Sequence, residues 1–184
     1  IGKVCAAPTA GACGILPAVL ITVTEKYKLN RRRILEALLT ASGIGAVIMQ
    51  NATVSGAEGG CQAECGVAAA MASAAAVEMI DGTNEEMLNA CSFALMNCMG
   101  LICDPVAGLV QVPCAQSNAS QAVNAILSAD LALAGMKSII PADEVIEAMY
   151  STGRMMPSQL RETAKGGLAA TKTGKIIADK MSSE

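Results

Sequence analysis

The stretch Gln62-Ala63-Glu64-Cys65-Gly66-Val67-Ala68-Ala69-Ala70-Met71-Ala72-Ser73-Ala74-Ala75-Ala76-Val77-Glu78-Met79-Ile80 decides the fold. It contains no proline, and between Glu64 and Glu78 it carries no charge. Its apolar residues cover every side of a helix rather than one stripe, so the helix it forms must be buried on most sides. Alanine dominates, and small side chains let neighbouring helices come close. The expectation is an all-α, compact helical domain with buried Ala-rich central helices, interrupted by Gly/Pro-rich loops that carry cysteines.

The flanks fit that plan. Asp81-Gly82-Thr83 is a stop and turn, and Thr83 or Asn84 caps a helix to about Leu101, with Glu85 and Glu86 where the helix dipole favours acid. Upstream, Leu16–Lys28 has helical spacing, and Asn30 caps a helix over about Arg31–Ala41 whose face is Ile34, Leu35, Leu38 and Leu39. Gly43 and Gly45 loosen that pattern before a buried segment, Ile44–Met49. Gln50–Gly60 is polar and glycine-bearing, a loop leading into Cys61. Ile1–Gly14 is extended chain and Gly-rich turn. Downstream, Ser117 or Asn118 starts a helix to about Leu133, and Pro141 opens Ala142–Tyr150. A last helical stretch from Pro157-Ser158 is broken at Gly166-Gly167, and Lys180–Glu184 frays. No strand, repeat or domain boundary emerges.

At 184 residues the chain can bury one real core. Hydrophobic residues make up 53% and aromatics 2%, and tryptophan and histidine are absent. A net charge of −3 and a pI near 5.0 argue against nucleic acid, which needs clustered Lys and Arg. Arg31-Arg32-Arg33 is the one basic cluster and suits a solvated helix start. The mean hydropathy of +0.46 raises a membrane span, but the window Val67–Val77 falls short of the roughly 20 residues required. No membrane association is expected. Eight cysteines without a signal peptide suit cytoplasmic thiols rather than a disulfide framework. The sequence opens on Ile1 rather than Met, which suggests an N-terminally trimmed single domain, 1–184.

The chemistry sits on cysteines in irregular backbone. Cys103-Asp104-Pro105-Val106-Ala107-Gly108-Leu109-Val110-Gln111-Val112-Pro113-Cys114 cannot be ordinary helix: each proline lacks an N–H and pushes its predecessor out of the helical region. Cys61 lies in a second glycine-rich stretch, Gly59–Gly66. Soft thiolates suit iron–sulfur clusters, zinc or copper(I), but the spacing matches no zinc ribbon. The plainer alternative is that cysteines are small apolar filler. That suits Cys91 and Cys98, seven apart on one helix face, and suits Cys103 and Cys114 poorly. Cys5, Cys13 and Cys65 are intermediate.

Four runs of sequence resemble the iron–sulfur-dependent L-serine dehydratases, specifically their α chain or α domain. They are Ala7–Gly14, Gly60-Cys61-Gln62-Ala63-Glu64, Cys103–Cys114, and Ser151-Thr152-Gly153-Arg154-Met155-Met156-Pro157. The likeness continues through Gly166–Thr171. It implies a [4Fe–4S] cluster held by Cys61, Cys103 and Cys114, with the fourth iron open to substrate. It also implies PLP-independent conversion of L-serine to pyruvate and ammonia, a place in amino-acid degradation and gluconeogenesis, a companion β chain or β domain, and an oligomer. Position 117 is Ser where the family's Arg follows the Cys-Ala-Gln run, and position 172 is Lys where many members have Pro. Both departures bear on the substrate.

Thr9 and Gly11 belong to a loop that can offer backbone N–H groups to a carboxylate, and the resemblance places that segment near substrate. Asn51, Thr53, Ser55, Gln62 and Glu64 flank the first thiol and could bind substrate, although loop solvation or capping accounts for each one singly. The substrate-binding set is Thr9, Gly11, Asn51, Ser55 and Gln62. Thr171 and Thr173 could close over a site or form a polar tail. With no histidine for general-base work, the base is expected in the partner chain, with Lys3 and Glu64 as candidates here. The rivals are a lyase on another β-substituted amino acid, such as a cysteine desulfidase, and a non-catalytic iron–sulfur scaffold subunit.

Overall fold

A computed structural model describes residues 3–183. Ile1, Gly2 and Glu184 lie outside the described residues, so the extended start is seen from Lys3 and the charged tail to Ser183. Eight α-helices follow in order: α1 Ile15–Tyr27, α2 Arg31–Asn51, α3 Gly56–Gly59, α4 Val67–Met79, α5 Asn84–Met96, α6 Cys114–Leu133, α7 Ala142–Met155 and α8 Lys172–Ser182. A π-helical turn, Gln62–Gly66, leads into α4. Short 3-10 turns cover Val106–Gly108, Ser158–Leu160 and Gly167–Ala170. Among the described residues there is no strand, only an isolated bridge between Cys103 and Arg161. The all-α expectation holds.

Helix α4 is the axis. Every residue from Val67 to Met79 is buried except Glu78, and α1, α2, α5 and α6 pack around it. Alanine buries little area per residue, so cohesion comes from how closely the helices approach and from the density of contacts that follows. Gly45 shows this on α2, where a Cβ would lie 2.9 Å from Met71 Sδ. Arg33 ties α2 to the far end of α4: its guanidinium donates to the Glu78 carbonyl and pairs with Asp81 at 2.8 Å. A cation there offsets the negative end of the α4 dipole. The arginine run is thus a helix start, as its composition suggested.

The capped starts are as expected. Asn30 Oδ1 accepts from the Arg33 N–H, and Thr83 with Glu86 forms a full capping box. Several boundaries differ. Helix α2 runs through Gly43 and Gly45 to Asn51, because burial against α4 outweighs the cost of glycine within a helix. Asn51 is therefore helical rather than a loop residue. Helix α5 stops at Met96, and the chain turns through Gly100 at φ 87°, so Cys98 lies in a turn and not on the helix face with Cys91. Helix α6 begins at Cys114, earlier than Ser117, because Pro113 ends the loop and needs no N–H donor at a helix start. Helix α7 continues through Ser151–Arg154, and α8 stays helical to Ser182. Helix α2 is long and apolar enough to cross a membrane by length and composition, and only 22% of that window is buried.

Candidate metal centre

Cys61, Cys103 and Cys114 arrive from three separate segments. Cys61 directly precedes the π-helical turn. The Gly60 before it has φ 76°, and a Cβ there would lie 2.7 Å from both the Leu101 carbonyl and Met156 Sδ, so only glycine passes through this gap. Gln62 then locks the turn in place. Fully buried, its amide donates to the Met149 carbonyl at 2.9 Å and accepts from the Gly100 N–H at 2.8 Å. Both ends of Gln62 are engaged by the fold, and it holds Cys61's segment between α7 and the turn after α5.

Cys103 is pinned by backbone. Its N–H donates to the Leu160 carbonyl at 2.9 Å, and its carbonyl accepts from the Glu162 N–H at 2.7 Å. Buried Asp104 accepts from the Leu168 N–H at 2.5 Å, which fastens the cysteine loop to the turn before α8. Cys114 is the first residue of α6. Its carbonyl accepts from Asn118 Nδ2 at 2.8 Å, and the same amide donates to the Gly11 carbonyl at 2.7 Å. Asn118 Oδ1 accepts from the Gly14 N–H at 3.0 Å. The Pro8–Gly14 loop is therefore clamped to the helix turn that carries Cys114.

Glu64 lies between these segments. Thr9 Oγ1 donates to it, and Gly11 lies directly against its carboxylate. A Cβ on Gly56 would meet Glu64 Oε2 at 2.9 Å, Cys103 Sγ at 3.1 Å and Glu162 Oε2 at 3.4 Å. Two carboxylates and one thiol thus crowd Gly56, and a side chain larger than hydrogen there would displace them.

The electrostatics follow from burial and crowding. Burial raises Glu64, with Glu162's charge adding to the rise and Thr9's hydrogen bond opposing it. Burial and the neighbouring Glu162, Cys61, Glu64 and Cys114 push Cys103 far up. Burial, Cys61 and Glu64 raise Cys114. Cys61 goes the other way: a hydrogen bond from the Cys65 thiol lowers it, and Cys65 keeps its proton. The protonated neighbour is thus suited to support a Cys61 thiolate, and Cys61 to serve as ligand. Among the described residues, no three His, Cys, Asp or Glu side chains converge tightly enough to hold a single metal ion.

The other expected residues are scattered. Ser55 is the half-buried residue before α3, and its N–H donates to Thr53 Oγ1 at 3.2 Å. Asn51 is exposed at the end of α2, bonded to the Val47 carbonyl at 2.8 Å, and it lines a cavity with Asp143, Ile146, Glu147 and Tyr150 rather than the thiols. Lys3 lines an apolar groove with Cys5, Leu20 and Leu38. Thr171 caps α8, accepting from the Gly174 N–H, and exposed Thr173 lies two residues on, in the first turn of α8. Ser117 is in the first turn of α6, and its N–H donates to the Pro113 carbonyl at 2.9 Å. Lys172 is the exposed first residue of α8. Sequence reasoning did not single out Glu162 or Asp104 for the site, and it took Asn118 only as a helix start. No spacing rule connects them to Cys61, and only folding brings them there.

Fold and site together make this an all-helical domain with the Cys103 thiol and two carboxylates packed against Gly56. The chain matches the family model described as serine dehydratase alpha chain over residues 1–169. It is 57% identical over 177 residues to the L-serine dehydratase, alpha chain, of Peptoniphilus asaccharolyticus, covering 96% of this chain and 61% of that protein. It is 52% identical over 181 residues to the probable L-serine dehydratase, alpha chain, of Bacillus subtilis (strain 168), covering 98% and 60%. It is 46% identical over 171 residues to L-serine dehydratase TdcG of Escherichia coli (strain K12), covering 91% and 37%. The chain belongs to the serine dehydratase alpha chain family, and it spans under two thirds of the length of these relatives.

Proposed function

We propose that this chain carries the metal centre of an iron–sulfur L-serine dehydratase, a cytoplasmic, oligomeric enzyme that works with a β chain or β domain. The overall reaction takes L-serine to pyruvate and ammonia. The observation that carries this is the fastening of Cys61, Cys103 and Cys114 on three separate segments whose charges all act with that of Glu64, in a chain of this family. Those thiols would hold the cluster, and burial that raises Cys103 and Cys114 in its absence is offset once a metal's positive charge is present.

When bound, a [4Fe–4S] cluster with three protein ligands supplies an iron open to the serine hydroxyl as a Lewis acid. The chain's own residues do the rest of its share. The Pro8–Gly14 loop, clamped by Asn118, presents Thr9 and Gly11 beside Glu64 and orients the substrate. Glu64, bonded to Thr9 and lying against Gly11, is a candidate in this chain for receiving the Cα proton. Lys3 faces the apolar groove instead. Loss of the Cα proton and of the hydroxyl as water leaves aminoacrylate, which tautomerises and hydrolyses to pyruvate and ammonia. No histidine is present in this chain, so the β chain is the principal source of the base.

The test is anaerobic reconstitution with iron and sulfide, followed by a serine turnover assay with and without the β chain. The expected result is about four irons per chain and turnover that needs the partner. Full activity that survives prolonged aerobic chelation overturns the assignment.

A further inference from the structure

We propose that the exposed face of helix α2 is a contact with a second copy of this chain, the two helices packing antiparallel about a two-fold axis at the level of Ala41. This gives the proposed oligomer a surface, and it does not depend on the reaction.

Four observations carry it. First, the face is apolar and uncharged. Leu39 is 74% exposed and Leu35 51%. With Ser42 and Ala46 they share the side of α2 opposite buried Ala37, Ala41 and Ile48. From Ala37 to Asn51 the helix carries no charge, whereas the solvated face of a helix is normally charged or polar. Second, the chain has surface to spare. It exposes 9792 Å², about 1,500 Å² more than the roughly 8,200 Å² of a monomeric protein of its 18.6 kDa mass. That surplus exceeds the roughly 800 Å² that each partner gives to a contact of standard size.

Third, the face complements itself. An axis at the level of Ala41 sets Leu39 of each copy opposite Gly43 of the other, and Leu35 opposite Val47. A Cβ on Gly43 would have no neighbour within 4 Å, and Ser42 and Ala46 nearby are small. The leucines therefore have room as the helices close up. Fourth, the same axis joins opposite charges. Arg31 is exposed, and Arg32 pairs with Glu36 one turn on yet stays 86% exposed. The axis carries both to the far end of the other copy's α2, where Val47 and Asn51 share a cavity with Asp143 and Glu147 of α7. The ends of this 21-residue helix lie about 30 Å apart, so one chain cannot join them by itself. The acidic end also disfavours an anionic lipid surface on this face.

The experiment follows the mass of the reconstituted holoenzyme, with its β chain, by light scattering and sedimentation through a dilution series. Leu39→Glu should raise the dissociation constant of the contact by about 100-fold or more, because the axis brings the substitution in twice, each worth about tenfold or more. The complex then falls to half its mass with the β chain still bound. Leu39 lies outside the core, so helix content and iron per chain should match wild type. Arg31→Glu should weaken the contact by about tenfold, and Glu147→Lys added on the same chain should restore it, as only two copies of one chain allow. A wild-type holoenzyme with a single copy of this chain at micromolar concentration overturns the proposal, as does a mass that Leu39→Glu leaves unchanged or a charge reversal without rescue. Loss of the β chain in Leu39→Glu assigns the face to that chain instead. Wild type that sediments with vesicles of phosphatidylglycerol and phosphatidylethanolamine, where Leu39→Glu does not, assigns it to a membrane. Either result overturns the proposal. Serine turnover is read alongside, and activity that persists when the contact fails leaves the proposed function standing.

Discussion

Asn118 reaches across the fold to Gly11, donating to its carbonyl at 2.7 Å. The same side chain donates to the Cys114 carbonyl and accepts from the Gly14 N–H. One amide thus sets the distance between the Pro8–Gly14 loop and the helix turn that bears a proposed ligand. Asn118→Ala should lower unfolding stability by about 1–3 kcal/mol, since hydrogen bonds to buried or half-buried groups each contribute about 1 kcal/mol net. Denaturant midpoints measure this. Asn118→Asp should cost at least as much, because it sets a carboxylate against two carbonyls. A stability equal to wild type in both variants would mean that the loop is held by other contacts.

The ligand set predicts a pattern of iron retention. Cys61→Ala, Cys103→Ala and Cys114→Ala should each lose most of the iron taken up in anaerobic reconstitution. Cys91→Ala should keep it, because that thiol is enclosed in helix α5. Cys98→Ala should keep it too, since the Cys98 thiol is engaged with Gln121 Oε1 at 2.9 Å. Equal iron in all five variants rules the set out.

Two glycines should respond to alanine with opposite sign. A Cβ on Gly153 would lie 2.6 Å from Gly59 Cα and 3.0 Å from its carbonyl oxygen, and backbone cannot yield as a flexible side chain does. Gly153→Ala should destabilise by about 1–3 kcal/mol and displace the segment that leads to Cys61. Gly43 has no neighbour within 4 Å of such a Cβ, on the exposed side of α2. Gly43→Ala should stabilise by about 0.5–1 kcal/mol through helix propensity. Thermal melts of the two variants distinguish them, and shifts of the same sign would contradict the packing described.

Burial pushes the Cys91 thiol up to about 12. A raised thiol pKa favours the neutral form, so its contribution to stability is intact below the ordinary thiol value of about 8.5 and is lost as pH climbs from there towards 12. The thiolate is also the reactive species. At pH 8, alkylation of the native protein followed by mass spectrometry should label exposed Cys5 and leave Cys91 unlabelled until the chain is unfolded. Early labelling of Cys91 would mean that α5 opens readily.

What the sequence by itself determined was the class of fold and the location of its chemistry. A helix apolar on all sides admits little but burial among other helices, and Gln62–Ile80 states that directly. Capping is equally local: Asn30 and Thr83 bond to backbone three residues away, so their roles are visible in the chain. Prolines at 105 and 113 forbid regular helix on local steric grounds, which marked the cysteine loop. Tertiary structure decided what depends on distant partners. Gly43 and Gly45 looked like a break, yet packing on α4 carried the helix through to Asn51. Nothing local marked Met149 and Gly100 as the partners at the two ends of the Gln62 amide. Glu162 carried no signal at all, because its place beside Glu64 and Cys103 arises from a backbone bridge between segments far apart in sequence. Local chemistry is fixed by neighbours along the chain, whereas a site's geometry depends on which segments the buried alanine helix brings into contact.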